Sequence, residues 1–233
     1  MISRTYLEWD SIFFQRKVEK IVVDNAFTPS ELFSSLNDSP PDLCYIFTST
    51  ELSTAKRKAM TDGGAVEYDR KIIYRKTGFT PSEQAEIVKV EKLIPGMHEL
   101  SIAAGWRSRF NMDPDLRPFF HDLYCTWIEK GISDPESVVL ACISNNAPLG
   151  MVLARCDGNS GNIGLLAVSE DSRGRGIGTR LLKACENFYF SRQVKTGTVA
   201  TQEGNRQACH LYEKNGYEII SREGVWHWKR SGL

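Results

Sequence analysis

The sequence predicts an α/β fold in which strands and amphipathic helices alternate around a sheet. Three observations carry this reading. Apolar or alternating runs at 43–47, 137–144, 148–156, 163–168 and 196–201 have strand character. Between and after them, residues 119–130 and the stretch containing Ile177, Leu181, Leu182, Cys185 and Phe188 repeat apolar side chains at helical spacing. Turn signals separate the two kinds of segment: Ser39-Pro40-Pro41, Asn145-Asn146 and Asn215-Gly216.

Taken in order, the aromatic terminus around Trp9, Phe13 and Phe14 is too apolar to be left in solvent and is expected to dock. Strands follow at 20–23 and 43–47, with a helix at 30–36 opening after Thr28-Pro29. A polar helix at 52–60 stops at Asp62-Gly63-Gly64, and a strand returns at 66–75. Residues 77–82 have linker composition. They divide an N-terminal α/β domain, 1–78, from a second domain, 79–233. That domain re-starts with a strand at 86–91, a helix at 97–104, a loop at 105–114 and the strong helix at 119–130. Asn145-Asn146 joins two strands as a hairpin. A helix at 205–215 is stopped by Gly216, and 217–229 closes as strand. The first half holds an echo of the end: a helix ending at glycine, then a strand ending in aromatic and basic residues. In that echo Met60 stands where Tyr212 stands.

Bulk properties narrow the function. With 41% hydrophobic and 25% charged residues in 233, the chain has the composition of a soluble globular protein. Lys+Arg 29 balances Asp+Glu 29, so net charge favours neither nucleic acid nor a membrane surface as partner. Cys44, Cys125, Cys142, Cys156, Cys185 and Cys209 are scattered without a CxxC pair and read as reduced core residues, with no metal site expected. The N-terminus lacks the apolar core of a signal peptide, and no stretch reaches the roughly 20 apolar residues of a membrane span, so a cytoplasmic enzyme is expected.

The chemistry centres on Arg173-Gly174-Arg175-Gly176-Ile177-Gly178, between an apolar strand and a helix. The first N–H groups of a helix have no intrahelical partner, and its dipole favours negative charge there. Glycines let a bulky anion approach the backbone, and two arginines add charge-assisted hydrogen bonds. The turn is therefore a pyrophosphate site. A P-loop would need lysine after Gly178, and a dinucleotide fingerprint a small residue where Thr179 stands. Neither matches.

Arg173, Gly176 and Gly178, spaced Arg-x-x-Gly-x-Gly, resemble the acetyl-CoA signature of the GCN5-related N-acetyltransferases. The upstream strand ending Leu166-Ala167-Val168 resembles that family too, as does Asn205-x-x-Ala208-x-x-x-Tyr212-x-x-x-Gly216-Tyr217 downstream, over about residues 85–229. The resemblance implies a mixed, mostly antiparallel central sheet flanked by helices, and acetyl-CoA as donor. It implies that backbone at Leu166, Ala167 and Val168 pairs with the pantetheine arm. The N–H groups of Arg173, Gly174, Arg175, Gly176, Ile177, Gly178 and Thr179 would hold the pyrophosphate, and Asn205 would hydrogen-bond the cofactor. Tyr212 would be the general acid to the departing thiolate, and the Val168 N–H the oxyanion donor. The general base is not singled out: Glu203, Asp113, His121, Glu170 and a chain of waters all remain open.

The acceptor is expected at the loop carrying Trp106, Arg107, Arg109, Phe110 and Asn111, because paired arginines among aromatics suit a phosphate ester with a flat base. Leu7-x-Trp9-Asp10-Ser11-x-Phe13-Phe14, Ser108-Arg109-Phe110 and Phe120-x-x-x-Tyr124-x-x-Trp127-Ile128-Glu129 are similar to one group in the family, the nucleotide-sugar N-acetyltransferases acting on TDP-4-amino-4,6-dideoxygalactose. That group carries an extra N-terminal α/β domain. Leu211 departs from it, standing where the group can have arginine. The expected partner is thus a small-molecule amine, a nucleotide sugar in the first place. A peptide amine, polyamine or aminoglycoside, or an acyl-CoA sensor without catalysis, are the alternatives. Val225, Trp226 and Trp228 make the final strand apolar enough to pair with another chain, so a monomer and a homodimer are both compatible with the sequence.

Overall fold

The computed structural model describes residues 2–82 and 86–230; Ala85, where the family resemblance begins, lies outside the described residues. By contact the chain divides into two units, Met1–Lys71 with Arg222–Leu233, and Ile72–Ser221. This differs from a division at residue 78, because the C-terminal strand joins the first unit. The reason is its pairing.

The first unit runs β1 (Ile2–Tyr6), α1 (Glu8–Phe14), β2 (Val18–Val23), α2 (Pro29–Asp38), β3 (Leu43–Ser49), α3 (Thr54–Asp62) and the start of β4 (Val66–Thr77). Local chemistry sets the helix starts. Pro29 occupies the first turn of α2, and the Thr28 hydroxyl accepts the Glu31 N–H at 3.4 Å while donating to the Glu31 carboxylate at 2.7 Å. Ser53 caps α3 by accepting the Lys56 N–H at 3.2 Å. The aromatic terminus docks as a helix, with Trp9 and Phe13 stacked at 5.1 Å and Phe14 buried.

Within the unit β1 pairs antiparallel with β2, β2 parallel with β3, and β3 antiparallel with the last strand. That strand's register, Val225↔Phe47 to Lys229↔Leu43, sets Trp226 and Trp228 into the core beside Leu32, Leu36 and Met60. Their indole N–H groups donate to the Thr48 hydroxyl at 3.2 Å and the Gly63 carbonyl at 3.1 Å. The expectation that this strand offers its aromatics to another chain is corrected here: they are buried against β3 and α3.

The second unit continues with β5 (Ile87–Lys89), α4 (Met97–Gly105), α5 (Arg109–Met112), α6 (Phe120–Ser133), β6 (Ser137–Ser144), β7 (Ala147–Asp157), β8 (Ser160–Val168), α7 (Ile177–Ser191), β9 (Thr196–Gln202), α8 (Arg206–Lys214) and the start of β10 (Glu218–Lys229). β5 to β8 pair antiparallel in succession, and β8 pairs parallel with β9. The β6–β7 hairpin turns at Asn145 and Asn146, whose φ values of 50° and 62° suit the two asparagines. Each unit is therefore a mixed, mostly antiparallel sheet flanked by helices. The strand order in the first is β1-β2-β3-β10-β4, and in the second β10-β4-β9-β8-β7-β6-β5. So β10 lies between the strands joined by α3, and β4 lies between the strands joined by α8. The echo in sequence thus has a counterpart in topology.

All six cysteines are free thiols, four of them buried. Burial pushes the Cys44 thiol up to about 12. Among the described residues no three His, Cys, Asp or Glu side chains are grouped to hold a metal, and no helix is long and apolar enough to cross a membrane.

Candidate active site

The glycine turn has the conformation its sequence demands. Gly174 and Gly176 have φ of +77° and +75°, values that L side chains rarely adopt. A Cβ on Gly174 would meet nothing within 4 Å, so open space lies over the loop. Gly176 precedes α7 without any side-chain cap, and the first bond into the helix is from the Arg180 N–H to the Gly176 carbonyl at 3.1 Å. The N–H groups of Ile177, Gly178 and Thr179 precede that bond, so they have no carbonyl one turn back within the helix. Exposed Arg173 and Arg175 flank them. Backbone donors and two cations are thus gathered at one turn, a candidate anion cradle.

Gly178 serves another purpose. A Cβ there would meet the Leu211 side chain at 3.2 Å, so the glycine lets α7 and α8 approach closely. Leu211, the departure from the nucleotide-sugar group, is thus a packing residue. Thr179 accepts from the Asn215 side chain at 3.5 Å, a second tie between these helices.

The strand before the turn parts from its neighbour. The β8–β9 ladder runs from Ser160↔Thr196 to Ile163↔Val199 and ends there, while β8 continues along β7 to Val168↔Gly150. The register with β7 shifts beside Gly164, since Leu153 faces Leu165 but Ala154 faces Ile163. One extra residue reverses the alternation. Ile163 packs into the core on the α7 side, and past the shift it is Leu166 and Val168 that pack there, with Leu165 on the other face. From Gly164 to Val168 the β9-facing backbone has no strand partner among the described residues. The result is a wedge with a free strand edge. Gly150 under it was not singled out in the sequence; a Cβ there would lie 2.9 Å from the Ala167 carbonyl, so only glycine lets α7 and β8 close over β7. A glycine inside a strand pattern was the available signal.

Leu166, Val168, Ala208, Cys209 and Leu211 pack on the same core cluster as Tyr212. Tyr212 is buried, its ring 5.6 Å from Tyr74 and 6.0 Å from Tyr217. Desolvation first, then the thiols of Cys209 and Cys185, hold its phenol protonated well above the usual range. Cys209, one turn earlier, lies 3.8 Å from the Gln202 carbonyl at the end of β9. The Tyr74 hydroxyl donates to Glu213 at 2.8 Å. Asn205 caps α8, its side chain accepting the Ala208 N–H at 3.3 Å.

The residues expected at the acceptor form a separate group around α6. Trp106 is 59% exposed, with its ring 6.2 Å from Phe120, and Arg107 is exposed. Arg109 lies over the Phe110 ring at 4.2 Å, and Phe110 is buried edge-to-face with Trp127, their ring centroids 5.6 Å apart. The Asn111 amide donates to the Trp106 carbonyl at 2.8 Å. Four of the five thus make contacts within the turn or with α6. Of the base candidates, Asp113 is fully buried and accepts the Asp115 N–H at 3.1 Å; Glu203, Glu170 and His121 are exposed.

A parallel strand pair that opens into a wedge, followed by a bare helix N-terminus, defines a class. Residues 102–217, all within the second unit, match the sequence pattern of the acetyltransferase (GNAT) family and form a domain of that family. Over 146 residues it is 32% identical to a dTDP-fucosamine acetyltransferase of Escherichia coli O6:H1, covering 60% of this chain. The match spans 61% of the length of that relative. Among solved structures, a GCN5-related N-acetyltransferase from Sphaerobacter thermophilus superposes with a TM-score of 0.61 at 16% identity, covering 100% of this chain and 78% of that one. A tandem GNAT protein from the clavulanic acid biosynthesis pathway gives 0.52 at 11% identity, covering 86% of this chain and 68% of that one. At such identities these two likenesses concern fold alone.

Proposed function

We propose that this chain transfers an acetyl group from acetyl-CoA to a primary amine, and that the amine is carried by a nucleotide-linked amino-deoxy sugar. The observation that supports the first half most is the shared cluster of Tyr212 with the splayed Leu166 and Val168, next to the uncapped start of α7. The pyrophosphate would take the N–H groups from Gly174 to Thr179 with Arg173 and Arg175, and the arm would lie along the open edge of β8 as a strand does. The attacking nitrogen forms its bond to the thioester carbonyl carbon as the carbon–sulfur bond breaks. Its proton leaves through water or a carboxylate, and the thiolate takes the Tyr212 proton. A phenol held neutral by burial remains a donor throughout the physiological range. The Val168 N–H would meet the developing oxyanion.

The second half rests on the 32% identity to a dTDP-fucosamine acetyltransferase and on the resemblance of the terminal and α6 aromatics to that group. The test is to incubate acetyl-CoA with a panel of amino-sugar nucleotides, peptides, polyamines and aminoglycosides and to follow thiol release. Release with the sugar nucleotides supports the reading. Release only with peptides or polyamines overturns the acceptor assignment, and release with none overturns the enzyme assignment.

A further inference from the structure

We propose that Tyr74 and Lys76, on the part of β4 that belongs to the second unit, are positioning residues that fix Tyr212 relative to the glycine turn. The proposal rests on the acetyl-transfer reading above and adds to it the means by which a phenol on a short helix is held in place.

A strand alternates its side chains, so residues 72, 74 and 76 share one face of β4. Ile72 and Tyr74 are buried there in the core cluster of Tyr212 and Tyr217. Lys76 is next on that face. Its side chain is 17% exposed, and its ammonium lies 5.6 Å from the centre of the Tyr217 ring.

Both residues close on the end of α8. The Tyr74 ring lies 5.6 Å from that of Tyr212, and its hydroxyl donates to the carboxylate of the next residue, Glu213, at 2.8 Å. The Lys76 ammonium donates to the Asn215 carbonyl, just past the helix, at 2.9 Å. The last carbonyls of a helix lack partners within it, and its dipole favours a cation there. Tyr212 is therefore one residue from the first tether and three from the second. Asn215 carries the restraint back along the helix. Its amide donates to the Leu211 carbonyl at 2.7 Å and its backbone N–H to the Tyr212 carbonyl at 3.0 Å.

The tether is anchored on α7. Glu186 is 2% exposed, and a carboxylate so buried needs charged partners. Lys76 takes one of its oxygens at 2.8 Å and Lys183 the other at 2.9 Å. Helix α7 begins at the glycine turn, and the Asn215 amide reaches Thr179 in its first turn at 3.5 Å. Lys76 thus joins the helix that starts at the glycine turn to the helix that carries the phenol.

The need for such ties follows from the chemistry. A general acid works only within hydrogen-bond reach of the atom it protonates, and a misplacement of about 1 Å can cost about 10²-fold in rate. Helix α8 has nine residues, fewer than the roughly 12–15 that a helix needs to persist alone. On this account neither Tyr74 nor Lys76 exchanges a proton with substrate; both act through Tyr212.

The test follows thiol release from acetyl-CoA by the full chain, with CoA affinity measured by titration. The amine is dTDP-4-amino-4,6-dideoxygalactose or, failing that, whichever amine of the panel above is accepted. Tyr74→Phe keeps the ring and leaves Glu213 to water, and Lys76→Met leaves Glu186 its Lys183 partner, so both chains are expected to fold. Each is expected to lower kcat about tenfold, with both KM values and CoA affinity held within about twofold. In a Tyr212→Phe background neither should lower kcat by more than about twofold, because the group they position is gone. Wild-type kcat in both single variants overturns the proposal. So does an equal tenfold loss in the Tyr212→Phe background, which a general loosening of the fold would give. Should Lys76→Met not fold, Tyr74→Phe decides alone. Wild-type turnover in Tyr212→Phe itself overturns the acid assignment, and no thiol release by the wild type with any amine overturns the function; either result takes the positioning roles with it.

Discussion

Helices α3 and α8 are built alike and differ in the large side chain each buries near its end. Each has nine residues, 54–62 and 206–214, and each opens on a side chain that accepts the N–H three residues on, Ser53 at 3.2 Å and Asn205 at 3.3 Å. Each is followed by a glycine with positive φ, Gly64 at +84° and Gly216 at +80°, and then by a long strand. At the matching place near the end, α3 has Met60, fully buried in an apolar cluster, and α8 has Tyr212. The scaffold needs a large buried side chain at that place in both helices. Only in α8 does that side chain carry a hydroxyl, and it shares its core cluster with Leu166 and Val168 of the open strand edge. On the function proposed above, fold and chemistry separate at a single position.

Exchanging the two residues tests that separation with the largest effect. Tyr212→Met is expected to lower kcat by roughly 10²–10⁴, the usual contribution of a general acid, while Met60→Tyr gives no new turnover. Activity surviving in Tyr212→Met would end the comparison.

Next in size is the glycine cradle, which the first unit lacks in sequence. Gly176→Val forces a β-branched residue to φ near +75°, at a cost of about 1–3 kcal/mol. CoA affinity should fall about tenfold in titration, with the thermal transition of the first unit unmoved.

The buried phenols give the second unit a pH dependence. Tyr74, Tyr189, Tyr212 and Tyr217 are all raised by burial above 10.0. Unfolded phenols ionise near pH 10 while the folded ones stay neutral, so their share of stability is complete below that pH and is lost above it. Denaturant midpoints should be flat from neutral pH to about 9 and fall beyond 10. Rising stability in that window would contradict the burial.

The smallest effect sharpens the likeness. Ser53→Ala and Asn205→Ala should each cost about 1 kcal/mol through a lost cap. If Asn205→Ala also weakens CoA binding while Ser53→Ala does not, the Asn205 amide has a ligand role beyond its cap.

What could be read from the sequence follows the reach of each feature along the chain. The candidate cradle was legible because three glycines, two arginines and a helix start lie within six residues, and their backbone requirement is local. The helix caps and the Asn145-Asn146 turn were legible for the same reason. β1 escaped notice, since Ile2–Tyr6 gains its strand character only by pairing with β2. The final strand read as an available edge because nothing local says that β3, some 180 residues earlier, is its partner. The wedge shows in sequence only as Gly164 within an apolar run. That Ser137, Arg155, Asn162 and Thr198 stand side by side was invisible, being set by register across four strands. The acceptor loop was read from its basic and aromatic residues alone, and the sequence did not show that Phe110 is buried against Trp127 while Trp106 is exposed.

The claim that Tyr212 supplies the proton to the leaving thiolate rests on one oxygen atom. Tyr212→Phe removes that atom and keeps the ring among Tyr74 and Tyr217. Steady-state turnover with an accepted amine, measured beside CoA affinity, should show kcat lower by about 10² or more with affinity held within about twofold. Turnover equal to that of the wild type would contradict the account.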